Sequence, residues 1–369
     1  MVYDVIIIGW GASGLFASIF LPKEMKKLIL EKNDVCGTKL LLSWGERCNV
    51  TNMHIEFDRD YVGQNLKSLP GVFHNFGNQD MLDFLHSHGI QTVVEDNGRV
   101  ILKSGKSKEL LDLLMKLATE NGVETINSVH IQSVNGTRET DNDAISMFKI
   151  ITNQWEYECR HLIVATGGKS YPQVGATEFA YELAKQFTIP YMPAYPCLCG
   201  IETIQDMSGV TWNSAVVQMQ IWRDKKCIYD EKGSVLFTHW GISGPVVFNG
   251  TLTMWNGERI TDNDKVPFKI KIMFDLENIN KKLIAFFALD EKKSFVELEM
   301  KGLRPWEEAK VSGGGVLLSG LRPSFESKKV PGVYFIGEAC DVVGRTWGYN
   351  LQWARSSGYV CAKRITVNV

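Results

Sequence analysis

Residues 4–31 constrain this chain more than any other stretch, because they read strand, tight turn, helix, strand, acid. Asp4-Val5-Ile6-Ile7-Ile8 is followed by Gly9-Trp10-Gly11-Ala12-Ser13-Gly14, and a helical stretch leads to Lys27-Leu28-Ile29-Leu30-Glu31. That is the layout of a dinucleotide-binding βαβ unit. Gly9 permits the sharp turn, Gly11 lets backbone approach a pyrophosphate, and Gly14 lets the helix pack close to the strand. Unspent amides at the helix start, from Ala12 onward, face phosphate charge. Glu31 lies 22 positions after Gly9, where an acid accepts hydrogen bonds from a ribose. The apolar strand before the glycines and the acid after the second strand favour nucleotide binding over a glycine-rich turn of another α/β fold.

With 369 residues the chain has room for two domains, at roughly 100–200 residues each. A formal net charge of −2 gives no reason to expect nucleic acid or an anionic membrane as partner. The longest apolar runs, such as Val5–Ile8 and Leu162–Ala165, fall far short of the ~20 residues that span a bilayer. The first strand begins almost at Met1, which leaves no room for a signal peptide. Eight cysteines occur without a CxxC pair or zinc-type spacing. Reduced thiols, a cytoplasmic location and no metal site are the expectation.

Beyond the first unit the chain is loop-rich from Cys36 to Asn78, then helical in spacing over Gln79–His88 and Lys106–Asn121. Strand-like runs follow at Val123–Val134, Met147–Ile151 and Glu156–Ala165. The last ends in Ala165-Thr166-Gly167-Gly168, a second turn open to close backbone approach. Gly175–Phe187 reads as a helix, and Ile189-Pro190 and Met192-Pro193 interrupt the pattern. Alternation then predicts strands at Ala215–Trp222, Val235–Phe237, Val246–Phe248 and Lys269–Phe274, with a helical piece at Asn278–Leu289. The chain returns to a strand at Gly332–Ile336, ending in Gly337-Glu338, and closes with a helix from Asn350 to about Arg364. The expected fold is α/β: a discontinuous Rossmann-like domain over 1–190 and 322–369, with a β-rich substrate domain inserted over 191–321. The insert includes a short helical piece at about 276–300. Its placement over a cofactor puts the site at the interface.

Three glycine turns favour FAD over NAD, since FAD is long and needs contacts at pyrophosphate, adenosine and ribityl–flavin end. A helix starting at Asn350 would aim its N-terminus at the flavin N1/O2 edge and stabilise the negative charge of the reduced ring. The alternative is a surface helix with Asn350 as its N-cap. No second strand–GxGxxG–helix exists, because Gly313-Gly314-Gly315 is not followed by a helical pattern. Hydride therefore comes from the substrate itself, or from NADH or NADPH docking transiently.

Six stretches carry a family resemblance: GWGASG, GTKLLLSWGERCNVTN (37–52), ATGGKSYPQVGAT (165–177), LFTHWGISGP (236–245), AKVSGGGV (309–316) and VYFIGEACDVVGRTWGYNLQWARSSGY (333–359). In that order they resemble the aminoacetone-oxidase / BaiN-like family of NAD(P)/FAD-dependent oxidoreductases. GERCNVTN and YNLQWARSSG are the specific blocks. The resemblance implies an FAD domain of the glutathione-reductase-like superfamily, an inserted β-rich barrel-like domain and a helical subdomain, reduced here. It also implies flavin-dependent amine oxidation or reduction of an enone or unsaturated ring. By position, Ser13 and Gly14 meet the pyrophosphate and Glu31 the adenosine ribose, with Lys32 and Lys39 near the nucleotide. Ser43, Arg47, Cys48 and Asn49 lie beside the ribityl chain or flavin. Ile131 offers backbone to adenine, and Thr166, Gly167 and Gly337 line the groove. Glu338 reaches the ribityl chain, and Asn350, Leu351 and Gln352 the flavin pyrimidine edge. Trp10, Trp44 and Trp347 stand where the family usually has a small residue, and Arg345 where it often has Asp.

No dedicated acid–base pair is evident. Cys48 offers a thiol beside the flavin, but Cys36 is twelve positions away, which favours a buried structural thiol. His239 reads equally as a general base or as a hydrogen-bonded histidine shaping a turn. Arg47 could position an anion, compensate flavin charge or hold a phosphate. Cys197 and Cys199 read as packing. The expectation is an FAD-dependent oxidoreductase acting at flavin N5 on a small molecule, in a cleft between the two domains. The alternative is a flavin-binding protein whose site is filled by Trp10, Trp44 and Trp347. The near-neutral charge disfavours a nucleic-acid-modifying flavoprotein.

Overall fold

The computed structural model describes residues 1–41, 49–138, 145–254 and 268–365. It divides into two compact units, Met1–Ala194 with Gly313–Val369, and Tyr195–Ser312.

The first unit is built on a seven-stranded sheet. Its strands are β1 (Val2–Ile8), β2 (Lys27–Leu30), β3 (Val123–Ile126), β4 (Ile131–Arg138), β5 (Ile145–Thr152), β6 (Glu156–Val164) and β7 (Val333–Phe335). Parallel pairing runs β3-β2-β1-β6-β7. The antiparallel β5 and β4 continue from the first half of β6. Because β1 is central, Val5, Ile6, Ile7 and Ile8 are all buried. This is why the strand reads as a continuous apolar run rather than an alternating one. The helices α1 (Ala12–Phe20), α2 (Ser107–Glu120) and α3 (Tyr349–Arg364) complete the frame. In α2, Leu110, Leu111, Leu114 and Ala118 form the buried stripe of an amphipathic helix. The single run expected over Val123–Val134 is two strands, broken at 127–130.

The second unit holds a closed barrel. Its strands, in spatial order, are Ile201–Thr203, Gly241–Ser243, Lys226–Thr238, Ser214–Arg223, Phe268–Phe274 and Phe295–Leu303. Ala215, Val217, Met219 and Ile221 point inward on alternate positions, as a period of two requires. Closure leaves no free sheet edge. One expected strand is a helix: Val246–Phe248 belongs to Pro245–Thr253. Gly244 turns the chain at φ +104 and Pro245 sits at the first helical position, where its missing N–H costs nothing. The helix is buried from Val246 to Leu252, Asn249 and Thr251 included, so it lacks the exposed polar face that reveals a helical period. The helical piece is Lys281–Phe287, capped by Asn280, whose side-chain oxygen accepts the Lys282 N–H at 2.8 Å.

Candidate functional site

Three turns meet at the C-terminal ends of β1, β6 and β7. A Cβ on Gly14 would run into the Gly9 carbonyl and lie 3.0 Å from the Ala165 Cβ, so α1 can seat against β1 and β6 only with glycine there. Gly337, at φ +63, would place a Cβ 2.6 Å from Ser13 Oγ. One on Gly167 would lie 3.7 Å from Glu338 Oε2. Gly9–Gly14, Thr166–Gly167 and Gly337–Glu338 therefore converge, as the sequence suggests for a long dinucleotide. Gly11 differs from these crowded glycines, since a Cβ there would meet nothing within 4 Å. Its carbonyl accepts the Leu15 N–H at 3.0 Å, which leaves the amides of Ala12, Ser13 and Gly14 without intrahelical acceptors. Open space in front of unspent amides fits a pyrophosphate.

Glu31 is 8% exposed at the end of β2. Its Oε2 accepts the Trp10 N–H at 2.7 Å and its Oε1 the Asn33 N–H at 2.9 Å. A carboxylate has about four acceptor sites, so two remain for ribose hydroxyls. Lys32 is exposed beside it. Ile131 pairs instead with Thr152 at the start of β4. Val129 is the residue that borders Glu31: its N–H donates to the Glu31 carbonyl at 2.9 Å. The break between β3 and β4 brings Val129 to that point, two residues before Ile131.

Lys39 Nζ lies 2.8 Å from Glu338 Oε2 and 2.6 Å from Ser170 Oγ, and Ser170 Oγ donates to Glu338 Oε1 at 3.1 Å. Both ends of the ion pair are partly exposed, so it is worth only ~0–1 kcal/mol. Its consequence is to aim Glu338 beside Gly167. Ser170 was not singled out from sequence, although it lies within the ATGGKSYPQVGAT block.

Gly348, not Asn350, caps α3. The Gly348 carbonyl accepts the Gln352 N–H at 2.9 Å, so only Tyr349, Asn350 and Leu351 keep unspent amides. The Asn350 side chain clamps the preceding turn, accepting from Gly344 N–H at 2.8 Å and donating to its carbonyl at 2.7 Å. Gln352 departs from expectation. It is fully buried, and its Nε2 donates to Ser356 Oγ at 3.0 Å and toward the Phe76 carbonyl at 3.4 Å, so its amide group faces inward. Asn49 opens the strand Asn49–Asn52, and its side-chain oxygen accepts from Arg99. Arg345 is half-buried and donates its N–H to the Asp60 carbonyl at 3.0 Å.

Ser43, Trp44, Arg47 and Cys48 lie outside the described residues. His239 is exposed in the turn between Lys226–Thr238 and Gly241–Ser243, and its ring makes no hydrogen bond among the described residues. Of its two sequence readings, the hydrogen-bonded histidine that shapes a turn therefore has no partner among the described residues. Cys197 and Cys199 are buried, and burial pushes the Cys199 thiol up to about 12, as packing thiols require. Trp10, expected to narrow the site, has its ring in the core of the first unit at 6% exposure. No cluster of metal-ligating side chains occurs among the described residues. No helix among them is long and apolar enough to cross a membrane.

A family model described as the HI0933-like protein Rossmann domain matches residues 3–364. The chain is 27% identical over 399 residues to the ribosomal RNA dihydrouridine synthase of Haemophilus influenzae, covering 98% of each chain. It is 25% identical over 411 residues to the 3-dehydro-bile acid delta(4,6)-reductase of Clostridium scindens, covering 97% of each. A solved 3-ketosteroid-delta4-(5alpha)-dehydrogenase from Rhodococcus jostii RHA1 shares the fold at a TM-score of 0.53 and 11% identity, covering 98% of this chain and 97% of that one.

Proposed function

The chain belongs to the HI0933-like Rossmann-domain family of FAD-dependent oxidoreductases, and from that premise we propose that it reduces a carbon–carbon double bond conjugated with a carbonyl group. The observation that carries the cofactor assignment is the Glu31 carboxylate, held by two backbone amides with two acceptor sites to spare, beside the open space at Gly11. The reaction class is supported by the two curated relatives. The ring bond saturated in a dihydrouridine and the ring bonds of a delta(4,6)-reductase substrate are both conjugated with a carbonyl. A uracil in RNA and a cyclic enone present the same reacting group, so both belong among the substrates to be tested.

FAD, when bound and reduced by NADH or NADPH, would supply a hydride to the carbon β to the carbonyl, and the α carbon would take its proton from solvent. The protein's own residues bind and orient. The Ala12, Ser13 and Gly14 amides face phosphate charge at the positive end of α1. Glu31 accepts from the ribose and Val129 offers backbone to adenine. The amides of Tyr349, Asn350 and Leu351 face the flavin pyrimidine edge, in a turn locked by the Asn350 side chain. Glu338, aimed by Lys39 and Ser170, reaches the ribityl chain. Such fixed positioning is a large part of catalytic power. Of the three tryptophans on which the reading as a binder without turnover rests, Trp10 has its ring in the core, Trp44 lies outside the described residues and Trp347 is half-buried.

The test is anaerobic titration of the FAD-loaded protein with NADH and NADPH. Addition of 2-cyclohexen-1-one, a uridine-containing ribosomal RNA transcript or a panel of amines follows. The expected result is flavin bleached by a nicotinamide and recoloured by a conjugated bond, with a product heavier by two hydrogens. Failure to retain flavin, or bleaching by amines alone, overturns the proposal.

A further inference from the structure

We propose that Trp347 is a specificity-determining residue whose indole stacks on the planar conjugated ring of the substrate. This rests on the reductase reading above. Trp347 has φ +74, in the left-handed region that bulky side chains rarely occupy and that glycine occupies without strain. The conformation is imposed from several sides. Asn52 Nδ2 donates to the Trp347 carbonyl at 3.3 Å, and Gly348 abuts Thr51 so closely that a Cβ would collide with the Thr51 carbonyl. A bulky residue held in this region is a ground for a functional inference, which the surroundings of its side chain must carry.

The Trp347 indole differs in its surroundings from Trp353 and Trp10. Trp353 is fully buried, donates its indole N–H to the Gly337 carbonyl at 2.9 Å and meets Phe325 edge-on. Trp10 lies in the core. Trp347 is half-buried, lies outside the core cluster, and makes neither an indole hydrogen bond nor a ring contact among the described residues. It stands immediately before Gly348 and the unspent amides of α3. An aromatic face there suits a flat, conjugated ring, since stacking needs only a π-face and tolerates different ring chemistries.

The experiment compares the FAD-loaded wild type with Trp347→Gly and Trp347→Phe. Retained flavin, the thermal midpoint, binding of 2-cyclohexen-1-one and uridine monophosphate by flavin difference spectra, and KM against kcat are all measured. Trp347→Gly should keep its flavin and unfold no earlier than wild type, while KM and the probe dissociation constant rise about tenfold and kcat changes little. Trp347→Phe should recover most of that loss. Unchanged probe binding in Trp347→Gly overturns the inference. So does a lowered midpoint with flavin loss that Trp347→Phe fails to rescue, since that describes a structural tryptophan. If wild type neither binds nor reduces either probe, the reductase reading fails first and this inference falls with it.

Discussion

Replacing Glu31 with glutamine keeps shape and volume but removes one of two acceptor oxygens. Its carboxylate now receives the Trp10 and Asn33 amides, one on each oxygen, at 2.7 and 2.9 Å. A glutamine amide can accept one of these and must turn its NH2 toward the other. One nearly buried N–H then loses its partner, which costs ~1–3 kcal/mol, and the surviving bond loses its charge assistance. This penalty appears without cofactor. With FAD present, the ribose hydroxyls also lose a charged acceptor worth ~1.5–3 kcal/mol, so the FAD dissociation constant should rise about 10–100-fold. At a fixed excess of FAD the ligand's contribution to stability then falls by a further ~1.4–2.8 kcal/mol. Urea unfolding of wild type and Glu31→Gln, without FAD and at several FAD concentrations, separates the two effects. The stability gap should open without FAD and widen as FAD is added. Equal stabilities without FAD would refute the two-amide bridge, and a gap that stays constant with FAD would refute the ribose contact.

Three further outcomes follow from local physics. Burial holds the half-buried His161 imidazole below its ordinary range, with Tyr334 Oη 3.3 Å from Nδ1. Between that lowered value and about 6.5 the unfolded chain binds a proton that the folded protein does not. Stability should therefore fall as pH drops below about 6.5, and thermal midpoints of His161→Asn should fall less steeply over that window. Burial raises the Cys159, Cys199, Cys340 and Cys361 thiols, whereas Cys227 is only half-buried. Peptide mapping after brief native alkylation should find Cys227 modified before those four, and an earlier hit on any of them contradicts the packing. Val247, fully buried in the Pro245–Thr253 helix, should not tolerate charge. Val247→Asp should destabilise the second unit by more than ~3 kcal/mol or prevent folding, as measured by circular dichroism and solubility.

Much of the first unit was legible because its signals are local. A buried parallel strand, a glycine turn and an acid after the next strand are written within 28 residues, and each follows from backbone sterics or strand burial. Family membership was legible for the same reason, since its specific blocks are contiguous. Errors fell where a residue's direction depends on distant chain. Gln352 turns inward to a carbonyl at Phe76, 276 positions away. Val246–Phe248 reads as a strand although it is helical, because the second unit buries Val246–Leu252 and erases the period that distinguishes helix from strand.

The sequence by itself determined a dinucleotide turn, an α/β core with a barrel-like insert and a flavoprotein family, because glycine freedom, side-chain period and contiguous motifs act over a few residues. Only the tertiary structure decided that Val129 rather than Ile131 borders Glu31, that Lys39 and Ser170 aim Glu338, and that Trp10 is buried while Trp347 stays half-exposed on a strained turn. Those outcomes depend on which distant segments close around each side chain, and local chain stiffness carries no information about that.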